Sequence, residues 1–149
     1  MNAFTCYLIE RSMKTLAVRV SRQSENAGLI ARFLQQQPMV KKVYYPGLEG
    51  SPHYDIARTQ MNGFGAMLSF ELADEMDANR FIKSLRFIKP AVSLGGIEST
   101  ICSPAVTSHA RMSAEERRRV GISDSLLRLS VGIEQVDDLL EDIESALSA

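Results

Sequence analysis

The sequence has few of the residues that build metal sites and disulfide frameworks. It contains no tryptophan, and only two cysteines and two histidines stand among its 149 residues. Cys6 and Cys102 are far apart, and neither belongs to a Cys-x-x-Cys or Cys/His cluster. This pattern predicts neither a zinc site nor a redox pair. Unpaired thiols are typical of a reducing compartment, so we expect a cytoplasmic protein without a metal ion.

Charge of one sign and long apolar runs are also lacking. The formal net charge is -1, which gives no strong field for nucleic acid or an anionic membrane surface. No apolar run reaches the roughly 18 residues of a membrane span. The N-terminus lacks the basic-then-apolar order of a signal peptide. We therefore expect neither a nucleic acid nor a membrane as partner.

Helix is predicted over residues 2–37, because no proline interrupts the chain before Pro38. A kink in the middle of this helix is the open alternative. Its second half has an amphipathic stripe with the i, i+3, i+4, i+7 spacing: Ala27, Ile30, Ala31 and Leu34. The stretch Phe4–Val20 is apolar on more than one face. That pattern indicates burial against something larger than one small domain.

The rest of the chain alternates between short strands and short helices. Extended segments are predicted at Val40–Tyr45, Ala66–Leu72, Phe87–Val92, Ser99–Cys102 and Leu126–Val131. Helices are predicted at Tyr54–Met61, after a cap at Asp74, after the capping box Ser113–Glu116, and over Val136–Leu147. The fold class is an α/β sandwich of the α+β kind, with a small, mostly antiparallel sheet covered by helices. Pro90 indicates an edge strand or a bulge.

Arg128 is the strongest single candidate for binding. In a strand it shares one face with Leu126 and Ser130, while an apolar set occupies the other face. A guanidinium in such surroundings needs a partner or water, and its planar fork suits a carboxylate. From these residues alone, a structural salt bridge is the favoured interpretation, and a ligand carboxylate is the alternative.

The loop Ser93-Leu94-Gly95-Gly96 is a weaker signal. Its two glycines permit a close approach of the backbone to a ligand. An ordinary turn is the alternative.

Five motifs together resemble one enzyme family. They are Ser93–Ser99, Pro104-Ala105, Thr107–His109, Gly121–Asp124 and Leu127–Gly132. The series resembles the C-terminal domain of the Cys/Met-metabolism enzymes that use pyridoxal 5'-phosphate (PLP), such as cystathionine γ-synthase, the cystathionine lyases and methionine γ-lyase. The resemblance covers residues 2–147, about the last third of a family member. It implies a small α/β domain at 38–149, joined through a long helix at 1–37 to a PLP-binding domain that the chain does not contain.

The resemblance also implies roles for individual residues. Arg128 corresponds to the arginine that binds the substrate α-carboxylate. Ser93 corresponds to a serine beside that carboxylate and the cofactor-bearing lysine, with the Leu94 backbone next to it. Ser108 stands where many relatives have threonine and keeps a hydroxyl for a substrate-side hydrogen bond.

Val92 implies a substrate preference. Cystathionine γ-synthase and γ-lyase usually carry glutamate at this position, which suits a distal ammonium group. Valine tilts the substrate toward methionine, homocysteine or an O-acyl-homoserine.

The resemblance implies PLP as the cofactor of the full-length enzyme. None of the lysines stands in the family's Schiff-base motif, so no catalytic or cofactor-binding residue is assigned in this chain, and covalent PLP is not expected on it. The implied function is one part of a transsulfuration-type enzyme, a C–S lyase or γ-replacement enzyme, which is inactive alone. The alternative is a stand-alone binding or interaction module that retains the fold. A homo-oligomer is expected.

Overall fold

Helices and strands alternate along the chain in the computed structural model, which describes every residue from Met1 to Ala149. The elements in chain order are α1 (Ala3–Met13), α2 (Leu16–Gln35), β1 (Val40–Tyr44), α3 (Tyr54–Gln60), β2 (Met67–Leu72), α4 (Ala78–Ser84), β3 (Lys89–Pro90), β4 (Thr100–Cys102), α5 (Ala114–Arg119), β5 (Leu126–Ser130) and α6 (Val136–Leu147). A single 3₁₀ turn, Pro104–Val106, follows β4.

The five strands form one sheet in the order β1-β2-β5-β4-β3. Three neighbouring pairs are antiparallel, and only β3 and β4 run parallel. This confirms the α/β fold with a mostly antiparallel sheet. Pro90 lies in the edge strand β3, where its missing N–H interrupts no ladder between central strands.

One face of the sheet is packed by helices. The β5 side chains Leu127 and Leu129 are completely buried there, as is Val131 just beyond the strand. They belong to one apolar cluster with residues of α2, such as Ile30, and of α6, such as Ile143. The stripe predicted on α2 and the apolar face of α6 therefore form the core on this face of the sheet.

The long N-terminal helix is divided in two. α1 ends at Met13, and α2 begins at Leu16, with Thr15 outside helical geometry at φ -109° and ψ 5°. Arg19 donates from Nη2 to the Ser12 carbonyl oxygen (2.8 Å) and from Nε to the Thr15 hydroxyl (3.2 Å). Side-chain donors that bind the backbone near the junction favour a break without proline. The kinked alternative describes the chain better than one continuous helix.

Two further expectations are corrected. Asp74 does not cap α4: its carboxylate binds Lys41 Nζ at 3.0 Å. The cap is Asp77, which accepts from the Arg80 N–H at 2.8 Å and directly precedes the helix. The extended segment at Phe87–Val92 shrinks to the strand Lys89–Pro90.

The shortening of that segment has a local cause. The buried carboxylate of Asp142, in α6, accepts from the backbone N–H groups of Arg86 (2.7 Å), Phe87 (3.0 Å) and Ile88 (2.8 Å). Because these N–H groups donate to a side chain and not to a neighbouring strand, the pairing of β3 with β4 begins only at Lys89.

α1 stands apart from the core. None of its residues is buried, and its apolar side chains are exposed, including Phe4, Tyr7, Ile9 and Met13. No helix of the structure combines the length and the apolar character needed to cross a bilayer.

Candidate carboxylate-binding site

Arg128 lies on β5, the middle strand of the sheet, and faces away from the apolar cluster formed with α2 and α6. Its register partners on the neighbouring strands are Ser69 and Cys102. The half-buried side chain donates from Nη2 to the Val92 carbonyl oxygen at 3.1 Å. It forms no salt bridge with any carboxylate of the chain. Most N–H groups of this guanidinium thus have no partner within the chain, and the favoured salt-bridge interpretation finds no acidic partner here.

The segment Val92–Ser99 runs beside Arg128 and is attached through its backbone. Thr100 donates from Oγ1 to the Ser93 carbonyl oxygen at 3.1 Å. Gly95 has φ +74°, a conformation that favours glycine, and its N–H binds Ser130 Oγ at 2.9 Å. Ser130 is on the same strand face as Arg128, so the predicted loop and the predicted arginine meet at one place.

Ser93 and Leu94 keep free donors in this attached segment. Neither backbone N–H is hydrogen-bonded within the chain, and the Ser93 hydroxyl has no partner there either. Both residues are exposed. Two N–H groups and one hydroxyl without partners therefore follow directly after Val92, whose carbonyl oxygen accepts from Arg128.

Ser108 is not brought into this group. Its hydroxyl lies 2.8 Å from Nδ1 of the adjacent His109, and it contacts neither Arg128 nor the Val92–Ser99 segment. It belongs to the turn that follows the 3₁₀ segment Pro104–Val106 after β4. Within this chain, the sequence therefore predicts the neighbourhood of Arg128, Ser93 and Leu94 better than that of Ser108.

The residues that hold the loop from the side of α2 are not among those predicted from the sequence. Gln23 of α2 donates from Nε2 to the Gly96 carbonyl oxygen at 2.6 Å, and Asn26 donates to the Gly132 and Glu134 carbonyl oxygens at 3.2 and 2.9 Å. Both side chains are buried. Polar residues on the buried face of α2, in line with Ala27 and its apolar neighbours, were the available signal.

Gly132, just after β5, lies so close to the loop that there is no room for a side chain. An added Cβ would collide with the carbonyl oxygen of Ile97 and would lie 2.8 Å from the carbonyl carbon of Glu98. The N–H of Gly132 binds Ser99 Oγ at 2.9 Å. The chain that leaves β5 thus packs directly on the loop.

A second polar group occupies the same sheet face one strand further out. Tyr44 lies opposite Ser69, which itself lies opposite Arg128. The Tyr44 hydroxyl donates to Glu71, and this hydrogen bond, then burial, raises the pKa of Tyr44 to about 12. Ser123 also donates to Glu71, at 3.0 Å, so this carboxylate is satisfied without Arg128.

No lysine of the chain contacts Arg128 or the Val92–Ser99 segment. Four of the five ammonium groups have partners elsewhere: Lys14 binds Glu10, Lys41 binds Asp74, Lys42 lies over the Tyr44 ring, and Lys89 donates to the Arg86 carbonyl oxygen. Lys83 lies in the last turn of α4. A PLP site needs a lysine for the Schiff base. The residues present here fit a carboxylate and do not fit PLP itself.

Comparison with known proteins decides the family. The family model described as "Cys/Met metabolism PLP-dependent enzyme" matches residues 1–148. The chain belongs to this family. The family's enzymes use PLP, and the match confirms the family that the motifs between Ser93 and Gly132 indicate.

Family members similar to the chain include lyases and a synthase. A cystathionine β-lyase of Lactococcus lactis subsp. cremoris is 50% identical over 141 residues, which are 95% of this chain and 37% of the relative. A cystathionine γ-synthase of Escherichia coli is 46% identical over 148 residues, 99% of this chain and 38% of the relative. The crystal structure of CalE6 of Micromonospora echinospora, described as a cystathione gamma lyase, superposes with TM-score 0.94 and 40% identity over 99% of this chain and 39% of its own. The chain thus spans well under half the length of these relatives.

Proposed function

We propose that this chain is the C-terminal, substrate-carboxylate part of a PLP-dependent transsulfuration-type enzyme, either a C–S lyase or a γ-replacement enzyme. Residues 1–37, which contain α1 and α2, are the connecting segment, and residues 38–149 form the domain that binds the α-carboxylate. The observation that carries this proposal is Arg128, a half-buried arginine that has no acidic partner in the chain and lies beside free loop donors.

The proposed role of each site residue follows from its donors. Arg128 binds the carboxylate through charge-assisted, paired hydrogen bonds. The Leu94 N–H and the Ser93 hydroxyl supply neutral donors beside it. Together these groups orient the amino acid toward a cofactor that would be held by residues outside this chain. The chain alone is inactive, because it offers no Schiff-base lysine at the site.

Val92 is the proposed specificity residue. Its carbonyl oxygen is held by Arg128, while its side chain is 57% exposed. A valine at the mouth of the site offers no charge to a distal ammonium group of the substrate. The proposed substrates are therefore methionine, homocysteine or an O-acyl-homoserine in preference to cystathionine. Ser108 remains proposed as a hydroxyl on the substrate side, completed by residues outside the chain.

The proposed partner is a second copy of the enzyme. The exposed apolar side chains of α1 present a surface that gains by burial against protein. Light scattering measures this assembly, and a monomeric mass of the full-length enzyme would contradict it.

The function is tested by Arg128→Ala and Arg128→Lys in the full-length enzyme. A hydrogen bond to a charged group contributes about 1.5–3 kcal/mol, so Arg128→Ala should raise the KM for the amino acid roughly 10- to 100-fold. Lysine keeps the positive charge but cannot make two parallel hydrogen bonds. The KM of Arg128→Lys should therefore lie between those of the parent enzyme and Arg128→Ala. The absorbance of bound PLP should not change.

The competing function, a binding module without catalysis, makes the opposite prediction. It expects no turnover of sulfur amino acids by the full-length protein with PLP present. An unchanged KM in an active Arg128→Ala enzyme would remove Arg128 from substrate binding.

A further inference from the structure

Glu134 lies at the junction of the two chain segments that form the candidate site. Its carboxylate accepts from the Ser99 N–H at 2.5 Å and from the Ser99 hydroxyl at 3.0 Å. The Ser99 oxygen in turn accepts from the Gly132 N–H at 2.9 Å. One carboxylate and one hydroxyl thus bind the end of the loop to the exit of β5, with Ser99 almost completely buried.

The same two segments are joined by a backbone hydrogen bond and by α2. The Ile133 N–H binds the Ile97 carbonyl oxygen at 2.9 Å. Gln23 holds the Gly96 carbonyl oxygen, and Asn26 holds the carbonyl oxygens of Gly132 and Glu134. α2 therefore contacts the loop and the β5 exit together through buried amides.

The side chains that make these contacts do not themselves bind a substrate carboxylate. Glu134 carries a negative charge, which repels a carboxylate, and its oxygens are occupied by Ser99. The side-chain amides of Gln23 and Asn26 donate to backbone carbonyl oxygens. Their effect on the site must pass through the positions of the Val92 carbonyl oxygen and the Leu94 N–H.

We infer that Glu134, supported by Gln23 of α2, is a positioning residue that fixes the Val92–Gly96 backbone at the distance from Arg128 which a carboxylate requires. The inference rests on the proposed function of Arg128. The physical reason is that donors already held in the geometry of the bound state bind a ligand more tightly, because less ordering is needed on binding. Without the Glu134 carboxylate, the end of the loop loses two hydrogen bonds at Ser99, and the position of the Ser93 and Leu94 donors depends on the remaining contacts alone.

The test measures KM and kcat of the full-length enzyme with Glu134→Ala, Glu134→Gln and the exposed control Glu144→Gln. Glu134→Ala should raise the KM for the amino acid about tenfold or more, with kcat changed much less. Glutamine keeps one acceptor oxygen for Ser99, so Glu134→Gln should restore part of the loss. Glu144→Gln should match the parent enzyme. A lower melting temperature with KM unchanged in Glu134→Ala would overturn the inference and leave Glu134 a purely structural residue.

The double variant Glu134→Ala/Arg128→Ala separates this inference from the proposed function. If Glu134 acts through the alignment of the loop with Arg128, the double variant should have nearly the KM of Arg128→Ala alone. Multiplicative effects of the two changes would overturn the inference. An unchanged KM in Arg128→Ala would instead overturn the proposed function.

A second variant covers the case in which Glu134→Ala does not fold. Gln23→Met keeps a similar side-chain volume on α2 and removes only the donor to the Gly96 carbonyl oxygen. It should raise KM in the same direction by a smaller factor, several-fold at most. A folded Gln23→Met enzyme with the parent KM would contradict the contribution of α2.

Discussion

The two faces of β5 differ in what their side chains contact. Leu127 and Leu129 point into the apolar cluster beneath α2 and α6 and are completely buried. Arg128, between them in sequence, points to the opposite face, where it is half-buried and binds only a backbone oxygen. The packed face holds the domain together, while the open face keeps donors available. Changes on the two faces should therefore affect different measurements, even between adjacent residues.

The largest effect is expected on the packed face. Leu129→Ala removes a fully buried side chain and leaves a cavity, which should lower the free energy of unfolding by about 2–5 kcal/mol. Arg128→Ala should change it less, by about 0.5–1.5 kcal/mol, because the arginine makes a single, solvent-exposed hydrogen bond within the chain. Urea denaturation of the 149-residue chain compares the two. Equal losses of stability would show that the open face also supports the fold.

The boundary between the two faces is probed by Gly132→Ala. The added methyl group would collide with the Ile97 carbonyl oxygen, so the loop or the exit of β5 must move. Overpacking of this kind costs about 1–3 kcal/mol. Gly50→Ala is the matched control, since a Cβ there would meet no atom within 4 Å. The same denaturation measurement applies, and equal stabilities of the two variants would contradict the close contact between Gly132 and the loop.

The smallest effect on the free energy of unfolding is expected from the titration of Tyr44, which shares the sheet face of Arg128. Its pKa is raised to about 12 because the hydroxyl donates to Glu71. The raised value favours the neutral phenol in the folded chain. This contribution to stability is therefore complete below the unfolded pKa near 10.0 and is lost as the pH rises toward about 12.

Titration of tyrosinate absorbance in the folded chain measures this pKa. Glu71→Ala should bring the Tyr44 transition back toward 10.0, and Tyr44→Phe identifies that transition by removing it. A Tyr44 transition that stays high in Glu71→Ala would show that the carboxylate is not its cause.

The candidate site residues that the sequence predicts lie in continuous motifs. Arg128 follows from strand alternation together with the Leu-Arg-Leu-Ser-Val-Gly pattern, and the loop from its two glycines. The fold class follows from the same local patterns, because apolar stripes and turn residues determine which faces are buried. The division of the N-terminal helix was only an alternative, since Thr15 is not a strong helix breaker by itself.

The supports of the loop could not be predicted in the same way. Gln23 and Gly96 are 73 residues apart in the chain, and Asn26 and Glu134 are 108 apart. The sequence around Gln23 or Glu134 does not identify the hydrogen-bond partner of either residue, because such pairs are determined by the packing of α2 across the sheet. A polar residue on a buried helical face indicates that a partner exists, and only the fold shows which one.

The most direct test of the account compares two inhibitors of the full-length enzyme. One is an unreactive amino acid, and the other is the corresponding amine that lacks only the α-carboxylate. Their inhibition constants are measured with Arg128 and with Arg128→Ala. The parent enzyme should prefer the amino acid roughly 10- to 100-fold, and Arg128→Ala should lose most of this preference. An equal preference in both enzymes would show that the carboxylate is bound elsewhere and would contradict the account.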